Sequence, residues 1–185
     1  MNQIPLKIEQ VLQQNLLDLN SQGLMHGNAG ICIFFYILSQ KTGNEEYRKL
    51  AEDLLDKVFA NLDSQTSTDF ESGLAGIGWG IEYLVQNQFA EGDTDEILEE
   101  IDNKIFKVLN EESISSFELA NGLAGYLFYL INRLKNRKTP QSMAQQINTE
   151  LIIHMINKIY ETVTVQFTGI VKEVQFALFL RFHFM

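Results

Sequence analysis

Gly27-Asn28-Ala29-Gly30, followed at once by Ile31-Cys32-Ile33-Phe34-Phe35-Tyr36-Ile37-Leu38, is the stretch that decides the fold. The same construction returns as Gly73-Leu74-Ala75-Gly76 before an apolar run from Ile77 to Val85. It returns again as Gly122-Leu123-Ala124-Gly125 before Tyr126 to Leu134. The spacings are 46 and 49 residues, and a near-constant period of that size marks a repeated supersecondary unit. Eight of the twelve glycines stand at positions 27, 30, 73, 76, 78, 80, 122 and 125. Glycine inside a helix costs about 1 kcal/mol relative to alanine, so its return to one site points to close backbone approach there.

A segment of different character follows each run. Tyr47, Leu50, Ala51, Leu54, Val58 and Leu62 recur at helical spacing, with Arg48, Lys49, Glu52, Asp53, Asp56 and Lys57 on the other face. Asn44 is the expected N-cap and Gly43 marks the turn before it. In the second unit Ile97, Ile101, Ile105, Val108 and Leu109 form the stripe of one helix beginning at Asp93 or Thr94. In the third, Met143, Ile147, Leu151, Met155 and Ile159 do so after Pro140. Ile8, Val11, Leu12, Leu16 and Leu19 give an amphipathic helix ahead of the first unit.

A helix that is apolar nearly all round must be buried nearly all round, and one with a single apolar stripe covers it. Three inner helices alternating with four covering helices therefore predict an all-α fold of two concentric layers, an α/α toroid incomplete at about three and a half hairpins. Residues 1–162 form this domain, and residues 163–185 a Phe-rich tail holding five of the thirteen phenylalanines. The tail reads as the end of a truncated or frame-shifted reading frame, or as a segment covering the open edge.

Composition narrows the function. The formal charge of −10 over 185 residues argues against a nucleic-acid footprint. No apolar run approaches the length of a membrane span, and Met1 to Gln10 has no secretory pattern, so the expected setting is the cytoplasm. The single Cys32 excludes a disulfide framework and a multi-cysteine metal site. Residues 90–112 carry nine acidic side chains against Lys104 and Lys107; such a run is usually a solvated face, and otherwise attracts a basic peptide.

The stretches GLMHGNAGI, DFESGLAGIGWGIEYL and ELANGLAGYLFYL resemble the lanthionine synthetase C-like family. The resemblance runs from residue 5 to about 160 and corresponds to the N-terminal half of its toroid. It implies a relation to cyclases in which zinc, held by two cysteines and a histidine of later repeats, deprotonates a substrate thiol. Those later repeats are missing here, so no metal site and no bound cofactor are expected of this chain. The resemblance matches a family acid/base position to Asp69. The family histidine before the third glycine motif falls on Asn121, which cannot transfer a proton.

Each candidate has a plainer role beside it. His26, before the first motif, is a catalytic candidate, but a structural bond to a turn backbone group is the simpler assignment. Asp69 would equally serve as a cap of the second inner helix, in competition with Glu71 and Ser72. Trp79 and Tyr83, one turn apart, are core residues or a platform stacking a substrate peptide. Cys32 reads as a small buried hydrophobe. The expected partners are a ribosomally made peptide, a second toroid half, or another copy docking at the open edge left by the third inner helix. The alternatives to a catalytically silent protein are half of a split cyclase and a helical-repeat binding module.

Overall fold

The computed structural model describes residues 20–111, 114, 116–135, 146–161 and 164. Its helices are α1 (Asn28–Thr42), α2 (Glu45–Ala60), α3 (Leu74–Gln86), α4 (Thr94–Ile97), α5 (Glu99–Glu111) and α6 (Leu123–Leu134). A further helical stretch spans 146–161, and no strand occurs among the described residues. The helix expected over Ile8–Leu19, the residues Pro140 and Met143, and the tail from residue 165 lie outside them.

The three glycine motifs start α1, α3 and α6 by one device. Gly27, Gly73 and Gly122 are the N-caps, and none of these helices has a side-chain cap. A backbone carbonyl seven residues upstream takes the first helical N–H instead. Asn28 donates to Ser21 at 2.9 Å, Leu74 to Ser67 at 2.8 Å and Leu123 to Ser116 at 2.9 Å, satisfying donors that a helix start otherwise leaves open. The chain folds back so closely that a Cβ at any of these glycines would fall within 2.6 Å of backbone atoms.

α3 packs between α1 and α6, forming the inner row; α2 lies along α1, while α4 and α5 lie against α3. This is the layered all-helical arrangement that the alternation of apolar and amphipathic segments predicts. Ala51, Leu54 and Val58 of α2 are buried, as are Ile101, Ile105 and Leu109 of α5 and Leu151 and Met155 of the last stretch. The Asn44 side chain caps α2 by accepting from Glu46 N–H at 2.9 Å. Gly43 ends α1 at φ 69°, a conformation that favours glycine.

Two expectations are corrected. The second outer helix is broken: Asp93 caps α4, the chain turns at Leu98, and α5 begins at Glu99. Leu98 is thereby fully buried and Ile97 is 40% exposed, a local tertiary override of the helical stripe. Burial is nearly all-round only in α3, where Trp79, Tyr83, Val85 and Gln86 are half-buried; α1 leaves Ile31, Ile33, Phe34, Ile37 and Leu38 half-buried, and α6 leaves Phe128 54% and Ile131 41% exposed. No described helix is long and apolar enough to cross a membrane.

Cys32 is fully buried in α1 and its Sγ donates to the Ala51 carbonyl at 3.2 Å. Burial pushes its thiol up to about 12, so the reactive thiolate is scarce at neutral pH. We expect no labelling by a thiol reagent at pH 8 in the folded protein and one equivalent after denaturation. The unfolded thiol ionises near its ordinary value of 9.0, so this group costs stability as pH rises above that value. Fast labelling of the native chain would contradict the burial.

Candidate functional site

The three turns that start the inner helices are strapped side by side through equivalent positions. Met25 N–H donates to the Glu71 carbonyl at 2.9 Å, and Glu71 N–H donates to the Ala120 carbonyl at 2.9 Å, joined by Phe70 N–H at 3.0 Å. Side chains keep the same register. A Cβ on Gly76 would lie 2.9 Å from Leu24 Cβ, and one on Gly125 would lie 2.5 Å from Phe70 Cβ. One step further along, Leu119 is 38% exposed and Ala120 N–H has no partner among the described residues.

His26 stands in the first of these turns. Its partner is not the turn backbone group expected from sequence but the next turn's carboxylate, with Nε2 3.0 Å from Glu71 Oε1. The imidazole reaches across because the strap brings Met25 and Glu71 together. Both side chains face solvent, 72% and 36% exposed.

Asp69 lies in the second turn and is not a helix cap. Its Oδ1 accepts from Ser72 N–H at 2.7 Å, and its Oδ2 accepts from Ser67 Oγ at 2.5 Å. The α3 donors it would have capped, Leu74 and Ala75 N–H, go to the carbonyls of Ser67 and Thr68. Its carboxylate thus closes its own loop, and the equivalent position of the third turn holds Glu118; Asn121, which is exposed, corresponds to Ser72 and His26.

Trp79 and Tyr83 are half-buried and stack on each other, with centroids 5.4 Å apart and planes 12° from parallel. They sit mid-way in an aromatic series: Phe128 meets Phe70, Phe70 meets Trp79, and Tyr83 meets Phe89. Such contacts stabilise packing beyond their buried area, and the half-exposed pair also offers a flat surface on α3.

A family model described as lanthionine synthetase C-like protein matches residues 18–173. The chain belongs to that family. Comparison with curated proteins finds no match. The glycine turns that carried the resemblance are the ones whose carbonyls close α1, α3 and α6, so the family pattern here is a backbone pattern.

The zinc of the lanthionine synthetase C-like cyclases finds no donor set among the described residues. No group of three His, Cys, Asp or Glu side chains is placed to hold a metal ion. His154 is exposed on the last helical stretch, and Cys32 is a buried thiol. No catalytic step is therefore derived through a metal.

A charged cluster escaped the sequence reading. Arg133 of α6 is fully buried and touches three carboxylates: Glu82 of α3 at 2.7 Å, Asp95 of α4 at 3.1 Å and Asp102 of α5 at 2.7 Å. Tyr129 also donates to Asp102. Burial alone would lower the Arg133 pKa, but its bonds to Asp102 and Glu82 reverse this and raise it. Burial, then the Asp102 charge, hold the Tyr129 phenol well above its ordinary value. The available signal was a single charge in two of the three apolar runs, Glu82 in the second and Arg133 in the third. Charges so placed are seldom buried unless paired.

Proposed function

We propose that this lanthionine synthetase C-like chain is a peptide-holding scaffold that performs no cyclisation by itself, and that its turn ladder is extended by a further turn of the same kind. The open ladder end carries the reading. Each turn donates from one equivalent N–H to the carbonyl of the next and lays one side chain over the next turn's second glycine. The third turn presents the same N–H at Ala120 and the same side chain at Leu119. A second copy of this chain offers the complement in its own first turn, namely the Met25 carbonyl and Gly30. The exposed Phe128 and Ile131 of α6 would be buried by the same docking, each contributing about 1.5–3 kcal/mol if fully covered.

Within the scaffold, Trp79 and Tyr83 supply the peptide-facing surface, while His26 and Asp69 hold turns and transfer no protons. The alternative of half a split cyclase rests on the same ladder end, with the added turn coming from a zinc-bearing chain. Light scattering across a concentration series tests the self-docking form. We expect reversible association by the parent chain and at least tenfold weaker association by Leu119→Asp, with unchanged thermal stability because Leu119 is exposed. A parent that stays monomeric at all concentrations would refute self-docking, and association that Leu119→Asp leaves unchanged would place it elsewhere.

A further inference from the structure

The helical stretch 146–161 is apolar over a wider arc than its core contact uses. Leu151 and Met155 are buried, and Ile152 and Ile159 pack partly against the same core. Ile156, Tyr160 and Ile153 carry the arc on, yet they are 52%, 71% and 54% exposed. At 3.6 residues per turn they extend it by roughly 100° beyond Ile152. Ile147, on the opposite flank of the buried stripe, lines a cleft with Phe106 of α5. The free arc thus faces away from α5, on the side where a further repeat would stand.

The sequence supplies a candidate for that repeat. α2 leads into α3 and α5 into α6, so each outer helix is followed by an inner one. After 146–161 comes Gly169, 47 residues beyond Gly122, between the spacings of 46 and 49 that separate the first three motifs. The family match, which ends at residue 173, takes this glycine in. An apolar run from Val174 to Met185 follows, broken by Gln175, Arg181 and His183. Counted from the glycine, Phe176 falls at the place of Tyr129, which is fully buried in α6. The fourth motif has one defect. Lys172 stands where the other motifs have Gly30, Gly76 and Gly125. At those three sites a Cβ would lie 2.0–2.3 Å from the carbonyl oxygen six residues upstream.

We propose that residues 163–185 act as a fourth repeat that covers the free arc and the open ladder end, and that this cover competes with the docking of a second copy. Each occupant has one advantage. The chain's own repeat is tethered, which gives it an effective concentration of about millimolar, but the Cβ of Lys172 holds its turn off the ladder. A second copy is untethered, and its Gly30 fits beneath Leu119 without that clash. Lys172 thus keeps the cover loose enough to be displaced, and the tether confines association to high protein concentration. The competition rests on the self-docking reading; the cover does not.

Light scattering over a concentration series and thermal denaturation, both on variants of the whole chain, test the two parts. Lys172→Gly should weaken association about tenfold and raise Tm by about 2–4 °C, as when one overpacked contact is relieved. Lys172→Ala removes the charge but keeps the Cβ, and should match the parent in both measurements, although alanine is the better helix former. Phe176→Asp should loosen the cover and strengthen association about tenfold. Equal Tm values for glycine and alanine at position 172 would refute the fourth turn. A raised Tm in Lys172→Gly with unchanged association would place the tail elsewhere on the molecule and refute the competition. Unchanged or weakened association in Phe176→Asp would refute it too. If the parent and Phe176→Asp both stay monomeric at all concentrations, self-docking fails and the competition with it, while the Tm contrast at position 172 still decides the cover.

Discussion

Arg133→Ala should lower the stability of this chain by about 3–5 kcal/mol, the cost of removing one partner from a buried ionic cluster. The side chain is fully buried, and its guanidinium touches Glu82, Asp95 and Asp102 from three other helices. Truncation leaves Glu82, only 4% exposed, and Asp102 facing each other's charge without a cation, and it opens a void beside Tyr129. The raised Arg133 pKa means that no accessible pH discharges the cluster from the arginine side. Arg48→Ala is the internal control: Arg48 pairs with Glu52 at 3.1 Å, but both side chains are about half exposed, and such pairs contribute about 0–1 kcal/mol. Urea denaturation of the two variants beside the parent checks the contrast. Equal, small losses would mean that the cluster is solvated and does not hold the inner row to α4 and α5.

Sequence and structure agree where a residue's role depends on its neighbours in the chain. The stripe Ala51, Leu54 and Val58 and the cap Asn44 could be read because helical period and capping are local. So could the inner helices, because an apolar run after a glycine turn has few other places to go. The break at Leu98 was hidden, since Ile97, Ile101 and Ile105 keep a plausible stripe while Leu98 is buried in a core assembled from several helices. His26 was legible as a turn residue, but its Glu71 partner comes from the next repeat, 45 positions on. Asp69 shows the opposite failure. An acid shortly before a helix suggests a cap, and the upstream carbonyls of Ser67 and Thr68 had already taken the donors. The Arg133 cluster draws on positions 82, 95, 102 and 133, a set assembled only by the packing of four helices.

Gly76→Ala and Gly80→Ala should change stability in opposite directions, although both lie in α3 four residues apart. Helix propensity alone favours alanine by about 1 kcal/mol at either site. At Gly76 the new Cβ would fall 2.0 Å from the Phe70 carbonyl oxygen and 3.0 Å from its carbon. Those atoms are backbone, and the same residue donates to the Ala120 carbonyl across the turn ladder. Relief therefore requires moving the second turn away from α3 or from the third turn, and overpacking of that kind costs about 1–3 kcal/mol. Gly30 and Gly125 stand in the same relation to the Leu24 and Leu119 carbonyls, at 2.1 and 2.3 Å, so alanine at either should also destabilise. At Gly80 the nearest atoms are the tips of two flexible side chains, Ile33 Cδ1 at 3.4 Å and Leu24 Cδ1 at 3.5 Å, which is ordinary contact. There the propensity gain should survive, and Gly80→Ala should raise stability by about 0.5–1 kcal/mol. Thermal denaturation of both variants decides it. If both stabilise, the second glycine of each motif is not a steric requirement, and the recurring Gly-x-Ala-Gly pattern needs another cause than the close return of the turn onto its helix.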